Sequence, residues 1–311
     1  MTLAPPQLHD FDFTAMGSPG RIRLFAATAD QANGAAAAMM DEIARIEARY
    51  SRFNPDSVLS RVNAIARSGG TVTLDSETAE LLDYAFTCHR KSGGLFDVTA
   101  GCLHRAWDFS LPHPPEPRGL DTLLPRIGLD KLLWQPPVLT FPVPGMELDF
   151  GGIGKEYAVD RAAEIGLDHG LVHGLIDLGG DIRVTGPQAD GTPWPIGIRH
   201  PRDSNALAAC LSLAGGAVAT SGDYERFVEI NGKRHCHIFD PRTGWPVQGL
   251  SAVTVLAESC LVAGSVATIA MLKGKAGTTW LTGLGQPCLW FDGDGRQGCH
   301  ALPVDRPTPA D

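Results

Sequence analysis

Near the start of the chain apolar and polar residues alternate with period two. Phe11 and Phe13, then Ile22, Leu24 and Ala26, predict two strands joined around MGSPG at 16–20. The period then lengthens. From Ala29 to Tyr50 apolar residues recur at helical spacing (Ala36, Met39, Met40, Ile43, Ile46), predicting a long amphipathic helix with Asp30 as N-cap and its alanine–methionine stripe in the core. An Asn-Pro turn leads to a short helix starting at Asp56 or Ser57. A strand at 71–74 precedes a helix over 76–92, capped by Asp75 and stopped at Gly93-Gly94.

The most patterned stretch is LDFGGIGKEYAVDRAA, 148–163. Met146, Leu148 and Phe150 alternate like the end of a strand. Gly151, Gly152 and Gly154 form a turn, and Tyr157, Ala158, Arg161, Ala162 and Ile165 resume helical spacing. Strand, glycine turn and helix together present backbone N–H groups and a helix N-terminus to an anion, with Lys155 placed to meet a phosphate as a point charge. The same glycines also fit a tight turn with no ligand. A second glycine turn of the same form lies in IDLGGDIRVTG, 176–186.

Further strands are expected near 172–177, 182–185, 195–199 and 207–213, and a hairpin turning at Asn231-Gly232. A strand over 251–259, an apolar helix over 261–272 and strands around 288–292 follow. The proline-rich 110–118 reads as a surface loop. Segregated helices and mostly antiparallel strands make this an α+β fold, one domain of two packed lobes over 10–300 with a polar tail at 301–311.

A length of 311 residues with 43% hydrophobic and 20% charged residues is that of a globular protein with a large core. The formal charge of −9, with no basic run, argues against a nucleic-acid or anionic-membrane surface. No apolar stretch is long enough to span a membrane. Seven dispersed cysteines without a CxxC pair fit reduced thiols, and the N-terminus lacks the pattern of a leader, so a cytoplasmic location is expected.

The densest polar turn is HCHIFDPRTG, 235–244. His237 with Asp240 nearby fits a general base whose tautomer a carboxylate fixes, and equally fits a structural histidine beside an Asp-Pro-x-x-Gly turn. Thr268 lies inside an apolar helix, where a threonine usually bonds back to its own backbone. Asp97, Asp149, Asp160, Asp177 and Asp181 sit near glycine turns as ligands or caps, and the sequence does not rank them.

Eight stretches in order then make the chain recognisable: MGSP (16–19), YSRFNPDSVLSRVN (50–63), GLFDVTAG (94–101), LDFGGIGKEYAVD (148–160), IDLGGDI (176–182), TSGDYERF (220–227), HIFDPRTG (237–244) and AGSVATIAMLKG (263–274). Together they resemble the FAD:protein FMN transferase (ApbE) family from about Phe11 to Trp290. The resemblance implies a T-fold-like domain and a Mg²⁺-dependent enzyme. Such an enzyme moves the FMN moiety of FAD to a threonine or serine hydroxyl of an acceptor flavoprotein and releases AMP. Carried over by position, it implies FAD contacts at Met16, Trp107, Asp108, Phe109, Asp149, Lys155 and Ile238. It implies metal ligation by the carbonyl of Gly152 and by Thr268, and His237 as base with Asp240 beside it.

The chain departs from the family pattern at two positions. The family's aspartate four residues before the threonine, a metal ligand, is Gly264 here; Ser265 or water is expected to fill in, binding Mg²⁺ more weakly. Gly264→Asp is then expected to tighten it. At Glu156, where the family commonly has glycine, a negative charge is added near the phosphates or turned to a partner. An FAD pyrophosphatase and a non-catalytic FAD-binding protein are the alternatives.

Overall fold

The computed structural model describes residues 5–305, with 112 and 116 excepted. Eight strands form one fully antiparallel sheet. Their spatial order is Gln7–Ala15, Ser18–Ala26, Gly174–Leu178, Asp181–Val184, Gly216–Gly222, Leu250–Ala257, Cys288–Asp292 and Gln297–His300. The first two join through Met16 and Gly17, both at positive φ (52° and 70°), the sign a two-residue hairpin demands.

Helices Ala29–Tyr50, Gly154–Asp168 and Cys260–Leu272 pack on one face of this sheet. Most of the expected stripe is core: Ala36, Met39, Ile43 and Ile46 are fully buried together with Ala32 and Ala35, while Met40 is half-buried at its edge. The other face is covered by a small antiparallel sheet of Trp194–His200, Asp203–Leu213 and Val304–Asp305. There Trp194, Ile196, Ile198 and Leu211 meet Leu175, Ile182, Val184 and Phe291. A third cluster gathers Cys102, Leu103, Trp107, Leu120, Leu123 and Phe239.

Several expectations are corrected in detail. The N-cap of the first long helix is Thr28, whose backbone is extended and whose hydroxyl accepts from Gln31 N–H at 3.2 Å; Asp30 already lies in the first turn, favourable to the dipole. The alternation at 146–150 is not a strand. Its polar groups are satisfied one by one instead: Asn63 accepts from Leu148 N–H at 2.7 Å and donates to its carbonyl at 2.9 Å, while Asp149 N–H donates to the Val98 carbonyl at 2.7 Å. Val304 and Asp305, assigned to the tail, pair with Leu211 and Cys210. Within the proline-rich loop, residues 112 and 116 lie outside the described residues. All seven cysteines are free thiols, and among the described residues no helix is long and apolar enough to cross a membrane.

Candidate active site

The two glycine turns meet at Lys155. Its Nζ lies 2.9 Å from Oδ2 of Asp181, which starts the strand after Gly179-Gly180. A Cβ at Gly179 would stand 3.0 Å from Ser18 and 3.3 Å from Lys155 Nζ, and its φ is +64°, so glycine is what lets this turn, the MGSP hairpin and the lysine approach one another. Asp177 closes the turn by accepting Gly180 N–H at 2.8 Å. Burial pushes the Asp181 carboxyl up against the pull of Lys155. The same burial works to lower the Lys155 ammonium, but Asp181 and Glu156 hold it above its usual range, so it is a cation here.

The remaining aspartates separate by role. Asp97 holds Thr99 and the N–H of Leu129. Asp149 pairs with Arg52 at 3.0 Å and accepts Gly151 N–H at 2.8 Å, fixing the glycine turn from below. Asp160 accepts the N–H groups of Cys260 and Leu261, both at 2.8 Å, and so caps the helix that carries Thr268.

His237 follows the hairpin Phe227–Ile230/Lys233–Cys236 and is half-buried. Its expected carboxylate partner is otherwise engaged: Asp240 binds the guanidinium of its own turn neighbour Arg242 at 2.8 and 3.0 Å. The group facing His237 Nδ1 is the carbonyl of Arg226, at 3.3 Å. A carbonyl only accepts, so Nδ1 carries the proton and Nε2 keeps its lone pair. Burial, with Arg226 and Lys155 adding to it, holds the imidazole below its ordinary pKa and therefore neutral at pH 7. Two neighbours escaped the sequence reading. Arg226 reaches the hairpin turn, its Nη2 3.7 Å from where a Gly17 Cβ would be. His104, whose ring meets Phe239 edge-on at 5.2 Å, is pushed down to about 4 by burial and by Arg52. No spacing marked either, because each enters the site through tertiary packing.

The residues assigned to flavin contact divide. Met16 sits in the hairpin turn and Ile238 is buried, its carbonyl accepting Val247 N–H. Trp107 is buried, donates to the Gly244 carbonyl at 2.9 Å and stacks with Phe109 at 6.2 Å, Phe109 in turn with Phe239 at 6.1 Å. These rings form an aromatic wall behind the His237 turn. Asp108 is exposed and caps its own turn through Ser110. A Cβ at Gly152 would reach Phe96 at 3.4 Å.

On the helix Cys260–Leu272, the Thr268 hydroxyl shares a 2.7 Å hydrogen bond with that of Ser221 and does not bond back to its own turn. Ser265 does not substitute for the missing aspartate: its hydroxyl donates to the Leu261 carbonyl at 2.6 Å and accepts from Tyr84 at 3.0 Å. Its direction is 100° around the helix from Gly264, which is enough to turn it to another neighbour. The space beside Gly264 is filled by Glu156. A Cβ there would lie 2.5 Å from both Cγ and Oε1 of Glu156, so Gly264→Asp alone displaces Glu156 or crowds two carboxylates, contrary to the simple expectation of tighter metal binding. Glu156 is 7% exposed and its Oε2 has no hydrogen-bond partner. Burial first, then the charge of Asp181, pushes its carboxyl up to about 8. Among the described residues no three His, Cys, Asp or Glu side chains converge as a metal cage, so a cation here must also draw on hydroxyl and backbone oxygens.

Comparison with known proteins places this geometry. The chain is 30% identical over 241 residues to an FAD:protein FMN transferase of Haemophilus influenzae, covering 74% of this chain and 70% of that one. It is 29% identical over 283 residues to the FAD:protein FMN transferase of Salmonella typhimurium, covering 88% and 81%. Among solved structures, the ApbE protein of Thermotoga maritima superposes with a TM-score of 0.85 at 29% identity, over 95% of this chain and 97% of that one. The flavin transferase ApbE of Vibrio cholerae gives 0.84 at 26%, over 96% and 98%. The ApbE family model itself matches residues 16–290, and with sequence and fold in agreement over that span the chain belongs to the ApbE family.

Proposed function

We propose that the chain transfers the FMN moiety of FAD to a threonine or serine hydroxyl of an acceptor flavoprotein and releases AMP. The observation that carries this reading is the contact of His237 Nδ1 with the Arg226 carbonyl, which leaves Nε2 as the proton acceptor, near a lysine held cationic where two glycine turns meet. Nε2 takes the proton of the acceptor hydroxyl as its oxygen bonds to the FMN phosphorus. The bond from that phosphorus to the bridging oxygen breaks, and the pair of electrons leaves with AMP. Lys155 holds the pyrophosphate as a point charge, while the amides of Gly151, Gly154, Gly179 and Gly180 donate within the protein and keep the two turns in shape. The rings of Trp107, Phe109 and Phe239 pack behind the turn that carries the base, with Trp107 bonded to the Gly244 carbonyl at its end.

The donors fit Mg²⁺: the Thr268 hydroxyl and the Gly152 carbonyl are hard oxygens, and a buried carboxylate oxygen next to the same helix lacks a partner. When bound, the ion neutralises charge on the pyrophosphate. Incubating the protein with FAD, Mg²⁺ and a flavoprotein carrying a threonine site tests the reading. A fluorescent acceptor band in a denaturing gel, with matching AMP, is expected, and both are expected to vanish with EDTA and in His237→Ala. Free FMN and AMP with every acceptor tried would make the protein a pyrophosphatase instead.

A further inference from the structure

We infer that Glu156 supplies the carboxylate ligand of this chain's metal site, so that positions 156 and 264 together form a single exchange of a carboxylate between two packed helices. The inference rests on the reading of the site as one for FAD and a divalent cation, and names the side chain that completes it.

The first argument is volume. The helices Gly154–Asp168 and Cys260–Leu272 are tied by Asp160, which holds the N–H groups of Cys260 and Leu261. One turn earlier on the same face of its helix comes Glu156; one turn later along the other comes Gly264. Glu156 therefore crosses to the second helix where Gly264 leaves room, and its Oε1 and Cγ stand 2.5 Å from a Cβ that glycine lacks. Glycine at 264 makes the space, and the longer side chain from the neighbouring helix delivers a carboxylate into it. Thr268 lies one turn further on that face.

The second argument is the unpaired oxygen. Of the carboxylates around Lys155, Asp181 takes the ammonium directly at 2.9 Å. Glu156, also buried, is left with Oε2 unpaired. A buried carboxyl oxygen without a hydrogen-bond partner is costly and persists where a ligand or a functional demand compensates it. Hard oxygens, an unpartnered carboxyl oxygen and the threonine on the same face fit a divalent cation.

Mn²⁺ binding, followed by electron paramagnetic resonance with and without FAD, tests the assignment, with thermal denaturation of each variant as the check on folding. Wild type is expected to bind Mn²⁺, and Glu156→Gln, nearly isosteric, to weaken it at least about tenfold. The exchange Glu156→Gly with Gly264→Asp is expected to recover affinity that Glu156→Gly alone loses. Equal Mn²⁺ affinity of wild type and Glu156→Gln would overturn the inference, as would an exchange variant that binds no better than Glu156→Gly or a wild type that binds no Mn²⁺. Flavin transfer is scored separately. Transfer by wild type with unchanged Mn²⁺ affinity in Glu156→Gln removes the ligand assignment and keeps the transferase. The expected Mn²⁺ pattern without any transfer does the reverse.

Discussion

Asn63 joins one motif of the chain to another, and its replacement makes a quantitative test. The side chain, in the middle of helix Val58–Ser68, makes both hydrogen bonds of an amide to one residue, Leu148, at 2.7 and 2.9 Å. In Asn63→Ala both bonds are lost, and a buried N–H and C=O at Leu148 are left unpaired. At about 1–3 kcal/mol for each orphaned group, partly relieved by entering water, the cost is about 2–4 kcal/mol. With an unfolding entropy of about 2.1 cal/mol/K per residue, a chain of 311 residues loses about 1.5 °C of Tm per kcal/mol, so a fall of about 3–6 °C is expected. Asn63→Asp keeps the acceptor but sets a carboxylate against the Leu148 carbonyl, and is expected to fall as far or further. Since Leu148 leads directly into Asp149 and Gly152, FAD affinity measured by fluorescence quenching is expected to weaken with it. A Tm within 1 °C of wild type in Asn63→Ala would refute the claim that side-chain bonds replace strand pairing in this stretch.

His237→Ala is expected to abolish flavin transfer, while Asp240→Ala, which frees only Arg242 and loosens the turn, costs far less; equal losses in steady-state rate would return Asp240 to the role of tautomer holder. Because burial lowers the His237 pKa, the acid limb of the pH–rate profile is expected below the ordinary histidine value of about 6.5. His104, at about 4 when folded, binds its proton more tightly when unfolded, so stability is intact above about 6.5 and falls as pH drops toward 4, by up to about 3 kcal/mol. Urea midpoints at pH 7 and 5 should converge in His104→Asn. Lys155→Ala leaves Asp181 buried without its cation and is expected to lose about 3–5 kcal/mol even without FAD, read as a fall in Tm.

Periodic elements were legible in the sequence because one neighbour pattern repeats along them: the long helix, the Asp75-capped helix and the Asn231-Gly232 hairpin all form as their spacing predicts. Elements bounded by glycine were less so. The strand Gly216–Gly222 and the helix Ala276–Leu284 were not anticipated, since small residues carry little period. At 146–150 the alternation was real but its cause was burial among loops and an asparagine, not a sheet. Within the site, glycine turns and Lys155 announced themselves, whereas the partner of His237 did not. A backbone carbonyl has no residue type, so the eye goes to the nearest carboxylate, Asp240. Gly264 looked like a loss and Glu156 like an incidental charge; only helix packing makes them complementary.

The pairing of Gly20 with Leu178 and of Leu24 with Gly174 gives the N-terminal hairpin a second task. Gly174–Leu178 is buried along nearly its whole length and carries the second glycine turn at its end. Stripped of the hairpin, it would become an open, apolar edge with a row of unpaired N–H and C=O groups, ready to recruit the same strand from another molecule. A chain shortened to begin after Ala26 is therefore expected to elute as aggregates on gel filtration while losing Ser18 from beside Gly179. The residues that shape one rim of the site are also the ones that cover this strand edge.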